Sequence, residues 1–221
     1  GNDITFYDVV VGENTNLNTD GDSENTIIIE NSLTVQNGGT VEVQDDDAID
    51  IQGELDDEGG NVVSERPFIY SISTPSITQV VVTFDKAMNT TTTGNTSNYS
   101  INNGISVSSA TPNPSNNKQV TLTVSTLTDG VEYELTVNNL ESTTGAVISS
   151  NHIKRFTVVT QTVFYSRQNG NWATNSTWST VSHTGAAASS NPSTEDDAEI
   201  VIGNGHTVTV NSSATITDQQ S

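Results

Sequence analysis

The chain has 221 residues, 32% of them hydrophobic and 5% aromatic, and its 27 acidic against 6 basic side chains leave a formal net charge of −21. Phosphate binding needs Lys and Arg to displace counterions, so DNA and RNA are excluded as partners, and an anionic membrane surface is excluded on the same ground. With no cysteine there is neither a disulfide framework nor a thiolate metal site, and with no long apolar run nothing inserts in a membrane.

The few apolar residues alternate with Asn, Thr, Ser, Gly and Asp, which predicts short strands joined by polar turns and an all-β protein. Residues 1–66 follow this pattern throughout. In SLTVQNGGTVEVQDDDAIDIQGEL, residues 32–55, the pairs Leu33/Val35, Val41/Val43 and Ile49/Ile51 succeed one another at intervals of eight. Alternation places both members of a pair on one side of a strand. The interval fits consecutive hairpins or successive faces of a β-solenoid coil, with turns at Asn37-Gly38-Gly39 and Asp45-Asp46-Asp47. Short strands with inward Val and Ile and polar corners favour the solenoid.

Residues 67–160 change character. Strands are predicted over 67–72, 79–84, 99–101, 105–108, 119–124, 133–137 and 156–160, and about seven strands in about ninety residues predict an immunoglobulin-like sandwich. VVVTFDKAM at 80–88 and LTDGVEYELTVNNLESTTGAVI at 127–148 resemble bacterial Ig-like domains of surface proteins. Leu127, Gly130, Tyr133, Leu135 and Val137 have tyrosine-corner spacing, so the Tyr133 hydroxyl is expected to bond nearby backbone.

Residues 161–221 return to the first style and are expected to open a second solenoid-like segment. NGNWATNSTWS at 169–179, Pro192, and DDAEIVIGNGHTVTV at 196–210 resemble the opening of secreted bacterial β-helical proteins, including G8-type domains. Ile200, Val208 and Ile216 repeat the interval of eight. ITFYDVVV at 4–11 resembles interior sequence of repetitive surface proteins of the Bacteroidetes. That resemblance implies a secreted or cell-surface location and roles in adhesion, gliding or matrix building.

Three sets of residues are candidates for a site. Calcium takes carboxylate and carbonyl oxygens at loops, and the acids that suit it are Asp20, Asp22 and Glu24; Asp45, Asp46 and Asp47 with Asp50; Asp56 and Asp57; and Asp196 and Asp197. None of these forms a twelve-residue EF-hand loop, and solvated acidic turns are the commoner explanation. Trp172 and Trp178, with Tyr165, offer a platform for surface glycans, since a spacing of six puts both Trp on one face of an extended segment. The reading preferred here is a cap over the open end of the solenoid. His152, His183 and His206 are far apart and belong to no metal or nucleophile motif, and the basic residues lie mostly in or near the sandwich. An enzyme is not expected.

The third set concerns self-association. The closing strands and the opening ones share a style, ATITDQQS running into GNDITFYDVVV as if one period of a longer array. A solenoid end exposes unpaired backbone, and two ends of opposite sense propagate as a filament. Val208, Val210 and Ile216 of one subunit are therefore expected to enter the core that Leu33, Val35, Val41, Val43, Ile49 and Ile51 begin in the next. The expected function is an extracellular structural or adhesive repeat protein assembling head to tail. The alternative is a carbohydrate-binding module of a secreted polysaccharide-degrading protein.

Overall fold

The interval of eight is the distance from one face of a coil to the next. In the structure, a computed structural model that describes residues 3–19, 25–44, 47–158, 162–194 and 198–210, the chain divides into two compact units, 1–160 and 161–221. The protein is predominantly β, with no closed barrel.

The first unit opens with β1 (Ile4–Val11), β2 (Asn16–Asn18), β3 (Thr26–Val35), β4 (Thr40–Val43), β5 (Ala48–Ile51), β6 (Glu54–Asp56) and β7 (Asn61–Ser64). Their pairings are all parallel, so the connections are coils and not hairpins. Ile4 lies beside Ile27 and Asn16 beside Thr40, 23 and 24 residues on. Thr26 lies beside Ala48 and Thr40 beside Asn61, 22 and 21 residues on. One sheet runs β1-β3-β5 with β6 also on β3, and the other runs β2-β4-β7.

β3 serves two faces, because β5 pairs with its first half and β6 with its second. Leu33/Val35, Val41/Val43 and Ile49/Ile51 thus come from three faces around one axis, and all six are buried in a single core with Val11, Ile27, Ile29 and Phe68. The corner between β5 and β6 needs glycine. A Cβ on Gly53 would lie 1.7 Å from the Asn31 carbonyl oxygen of the preceding coil.

The rest of the first unit is antiparallel: β8 (Ile69–Ser76), β9 (Gln79–Phe84), a one-turn helix α1 (Thr90–Thr93), β10 (Tyr99–Ile101), β11 (Val107–Pro112), β12 (Gln119–Val124), β13 (Glu132–Val137) and β14 (His152–Thr157). A sheet β11-β12-β9-β8 and a sheet β10-β13-β14 enclose one apolar cluster, in which Val82, Leu122 and Leu135 are completely buried. Three strands differ from the sequence expectation, the one expected at 67–72 running Ile69–Ser76. The strand expected at 105–108 starts at Val107, because the chain first turns through left-handed Asn103 and Gly104. The strand expected at 156–160 starts instead at His152, a buried polar residue that pattern reading leaves in a loop.

Tyr133 is buried, stacks on Phe156 at 5.7 Å, and its hydroxyl oxygen accepts from the Thr128 N–H at 2.9 Å. Tyr133→Phe is expected to lower the stability of the first unit by about 0.5–1.5 kcal/mol, the net worth of one buried hydrogen bond. Urea midpoints measure this, and an unshifted midpoint refutes the bond's contribution.

The second unit holds β15 (Val163–Ser166), β16 (Gly170–Asn171), β17 (Trp178–Ser179), β18 (Glu199–Val201) and β19 (Val208–Thr209). β18 runs parallel to β15 and β19 parallel to β16, while β17 is antiparallel to β15. Phe164 and Trp178 are its fully buried aromatic side chains among the described residues, packed edge to face at 6.2 Å.

Candidate functional site

Of the described candidate ligands, Asp47, Asp50 and Asp57 bond within the fold. Asp47 is buried and its Oδ1 accepts from the Asn25 N–H at 3.0 Å, tying one coil to the preceding one. Asp56 and Asp57 are exposed, and Asp57 Oδ2 accepts from the Tyr70 hydroxyl at 2.7 Å. Among the described residues, no group of three or more His, Asp or Glu side chains is placed to hold a metal ion. Asp20, Asp22, Glu24, Asp45, Asp46, Asp196 and Asp197 lie outside the described residues, as does Ile216.

The aromatic residues of the second unit do not form a flat platform. A 3-10 turn over Asn175–Thr177 separates the two Trp, so the segment is not extended. Trp178 is completely buried, perpendicular to Trp172 at 5.5 Å, and its Nε1–H donates to the Trp172 carbonyl at 2.8 Å. Trp172 is half-buried. Tyr165 packs against His183 instead, with ring centroids 5.4 Å apart.

Sequence separation conceals a second cluster here. The Nδ1 atoms of His183 and His206 lie 2.7 and 3.0 Å from the Ser166 carbonyl oxygen, and the Gly203 N–H donates to Ser166 Oγ. One serine thereby holds three loops together. His206 Nδ1 also lies 2.8 Å from Ser166 Oγ, so the carbonyl and hydroxyl of this one serine fix both imidazoles at the corner 203–206.

The densest polar site lies where β14 crosses the end of the coils. Asp50 is the one expected ligand that becomes part of it. Its carboxylate accepts from the Ile153 N–H at 3.1–3.2 Å, Lys154 Nζ donates to the Ile51 carbonyl at 3.1 Å, and Arg155 donates to the Glu30 carbonyl at 2.9 Å. Burial pushes the Asp50 carboxyl up to about 7, against the pull of the Ile153 N–H and Lys154. Burial likewise drives Lys154 down to about 8.

His152, wholly buried, is driven down to about 3 by desolvation, with Lys154 adding to it. Geometry agrees: its Nε2 accepts from the Ile69 N–H at 3.2 Å, leaving the proton on Nδ1 beside Ser149 Oγ at 3.0 Å. A neutral His152 makes no ion pair with Asp50, 3.5 Å away. These groups are each satisfied by a neighbour, which is the chemistry of a clamp: β14 closes the downstream end of the coils.

Scarce cations explain how the clamp is built. Each of the six basic side chains donates to a main-chain carbonyl: Arg66 to Val147, Lys86 to Ser64 and Glu65, Lys118 to Asp85, Lys154 to Ile51, Arg155 to Glu30, and Arg167 to Gly185 and Ser176.

The upstream end is different. β1 and β2 stand at the edges of their sheets, with no described strand beyond them. β1 leaves Ile4, Phe6, Tyr7 and Val10 exposed, the last two at 65%. β18 and β19 are likewise edge strands in the second unit, and Ile202 and Val210 are exposed beside them. Of the residues expected to self-associate, Val208 is half-buried and Val210 exposed at this edge. Leu33, Val35, Val41, Val43, Ile49 and Ile51 are buried on the coils after β1 and β2, whose own inward side chains are Val9, Val11 and Leu17.

No helix is long and apolar enough to cross a membrane among the described residues. No family model and no curated protein matches this chain. Among solved structures it is similar to the N-terminal part of the bacterial S-layer protein SbsC, at 24% identity and a TM-score of 0.40 over 50% of this chain and 29% of that one. It is also similar to the rSbsC(31-844) S-layer protein, at 22% identity and 0.40 over 57% and 19%. Domains 1-6 of SbsC give 20% identity and 0.39 over 57% and 19%. The chain thus spans less than a third of each of these structures, and at this distance the likeness does not establish a common fold.

Proposed function

We propose that this chain is an extracellular structural repeat segment of a bacterial surface protein, built as a β-solenoid and an Ig-like sandwich followed by the start of a second solenoid, and that its copies join head to tail. The observation that carries this reading is the pair of parallel sheet edges, β1/β2 and β18/β19, that no strand covers among the described residues and that exposed apolar side chains line. Such edges recruit strands. We propose that the β18/β19 edge of one copy meets the β1/β2 edge of the next, a heterologous contact that propagates wherever the rotation does not close a ring. The charge of −21 makes divalent cations a natural partner of the assembly, and we propose calcium at the acidic turns.

Deleting residues 205–221 tests the assembly. The full chain is expected to form elongated particles in negative stain and to sediment as a concentration-dependent series, whereas the truncated chain stays monomeric. A full chain that remains monomeric at high concentration in Ca²⁺, or a truncated chain that assembles equally well, overturns the reading. Melting in Ca²⁺, in chelator, and in NaCl of equal ionic strength separates binding from screening. Calcium at a hundred times its dissociation constant adds about 2.7 kcal/mol, which NaCl does not reproduce.

A further inference from the structure

The head-to-tail reading leaves open which strands meet and in what register, and the corners of the fold carry that information. Resting on that reading, we infer that the segment 199–210 of one copy seats on β1 and β2 of another as an added parallel coil, with Val201 beside Val10 and Thr209 beside Asn18.

Three features agree on this register. The first is spacing. Val10 and Asn18 are eight residues apart, and so are their neighbours in the next coil, Thr34 and Glu42. Val201 and Thr209 are also eight apart, although their own neighbours, Tyr165 and Asn171, are separated by six. The last coil of the first unit also departs, with Asp56 and Val63 seven apart. The segment therefore has the step of β1/β2 and not that of the coil it lies on.

The second feature is the corner. VGENTNL at 11–17, VQNGGTV at 35–41 and IGNGHTV at 202–208 share one length. The fourth residue of each is left-handed: Asn14 at φ 54°, Gly38 at 73° and Gly205 at 81°. Each corner is closed by the same backbone bond, from Thr15 N to Gly12 O at 3.3 Å, from Gly39 N to Gln36 O at 2.8 Å, and from His206 N to Gly203 O at 3.0 Å. Between the first two coils these corners stack directly, the Asn14 N–H donating to the Asn37 carbonyl at 3.3 Å and the Thr40 N–H to the Thr15 carbonyl at 2.9 Å. Corners of one shape stack in register, and the 202–208 corner presents that shape to the next copy.

The third feature is polarity with burial. Sheet order follows chain order in β1-β3-β5 and in β15-β18, so placing β18 upstream of β1 continues one direction of stacking. The inward positions then coincide, Ile200 over Val9, Ile202 over Val11 and Val208 over Leu17, and Ile202, 46% exposed, becomes covered. Unpaired edge backbone is satisfied at the same time.

The chain has no cysteine, so cross-linking between single-cysteine variants reads the register without background. Val10→Cys, Asn18→Cys, Val201→Cys and Thr209→Cys alter positions that alternate outward from the inward-facing set. They are prepared separately and mixed in pairs, so that only links between different copies are scored. With a short bismaleimide, the matched mixtures 10 with 201 and 18 with 209 are expected to give at least tenfold more mixed dimer than the swapped mixtures 10 with 209 and 18 with 201. Particles that form while matched and swapped mixtures link equally would overturn this register and leave head-to-tail assembly standing. Absence of both particles and links overturns the two together.

Discussion

Asp50→Ala is expected to cost the 1–160 unit about 1–3 kcal/mol, the cost of leaving the buried Ile153 N–H without its acceptor. Asp50→Asn keeps an acceptor for Ile153 and separates charge from hydrogen bonding. The folded Asp50 carboxyl, raised to about 7, binds its proton more tightly than the unfolded chain does. Its contribution is fully present below about pH 4 and is lost as pH rises through 7. His152 works the other way: depressed to about 3, it contributes stability above about pH 6.5 that is lost as pH falls through 3.

In the native protein these slopes oppose each other between pH 4 and 6.5, giving a flat profile. Asp50→Asn removes the first slope, so the variant gains on the native protein by on the order of 2–4 kcal/mol between pH 4 and 8. Urea midpoints across that range measure the gap. Parallel profiles would mean that Asp50 does not titrate within the fold.

Trp178→Ala is expected to unfold the 161–221 unit outright while leaving the first unit's melting unchanged. Removing a buried Trp costs about 3–5 kcal/mol, and a unit of about sixty residues has little stability to spare. Its described aromatic core is Trp178 against Phe164, so nothing takes over the contact. Trp172→Ala, at a half-buried site, is expected to leave the fold intact. Near-UV circular dichroism of the isolated melting transition distinguishes them. The pair also separates two explanations for any glycan binding: loss on Trp172→Ala indicates contact with sugar, whereas loss on Trp178→Ala alone reports unfolding. A Trp178→Ala protein that melts like the native one would place the core elsewhere.

The inward pairs of the first unit were legible because their signal is local, although an interval of eight by itself fits hairpins as well as coils. Leu33/Val35, Val41/Val43 and Ile49/Ile51 each encode a face, and eight residues per face is independent of anything distant. The Tyr133 corner was legible for the same reason, with its partner Thr128 five residues away. Asp50 was not. Within AIDI it reads as one more acid near an acidic turn, yet its partners lie 102 to 105 residues later on β14, among residues whose polarity argues for a loop. The usable signal was an acid in strand phase, pointing outward between two inward Ile residues on the last coil. The Ser166–His183–His206 cluster offered less, since three loops meet there without periodicity.

The six carbonyl-bound basic side chains bear on how such a chain withstands proteolysis. Proteases of trypsin-like specificity recognise Lys or Arg in an extended segment, and here every such side chain already grips the main chain of another part of its own unit. Cleavage therefore waits for local opening, and its rate follows the free energy of that opening and not the sequence. A chain with few cations, most of them held against its own main chain, presents few ready sites to this class of enzyme, so its lifetime in their presence follows the stability of its fold.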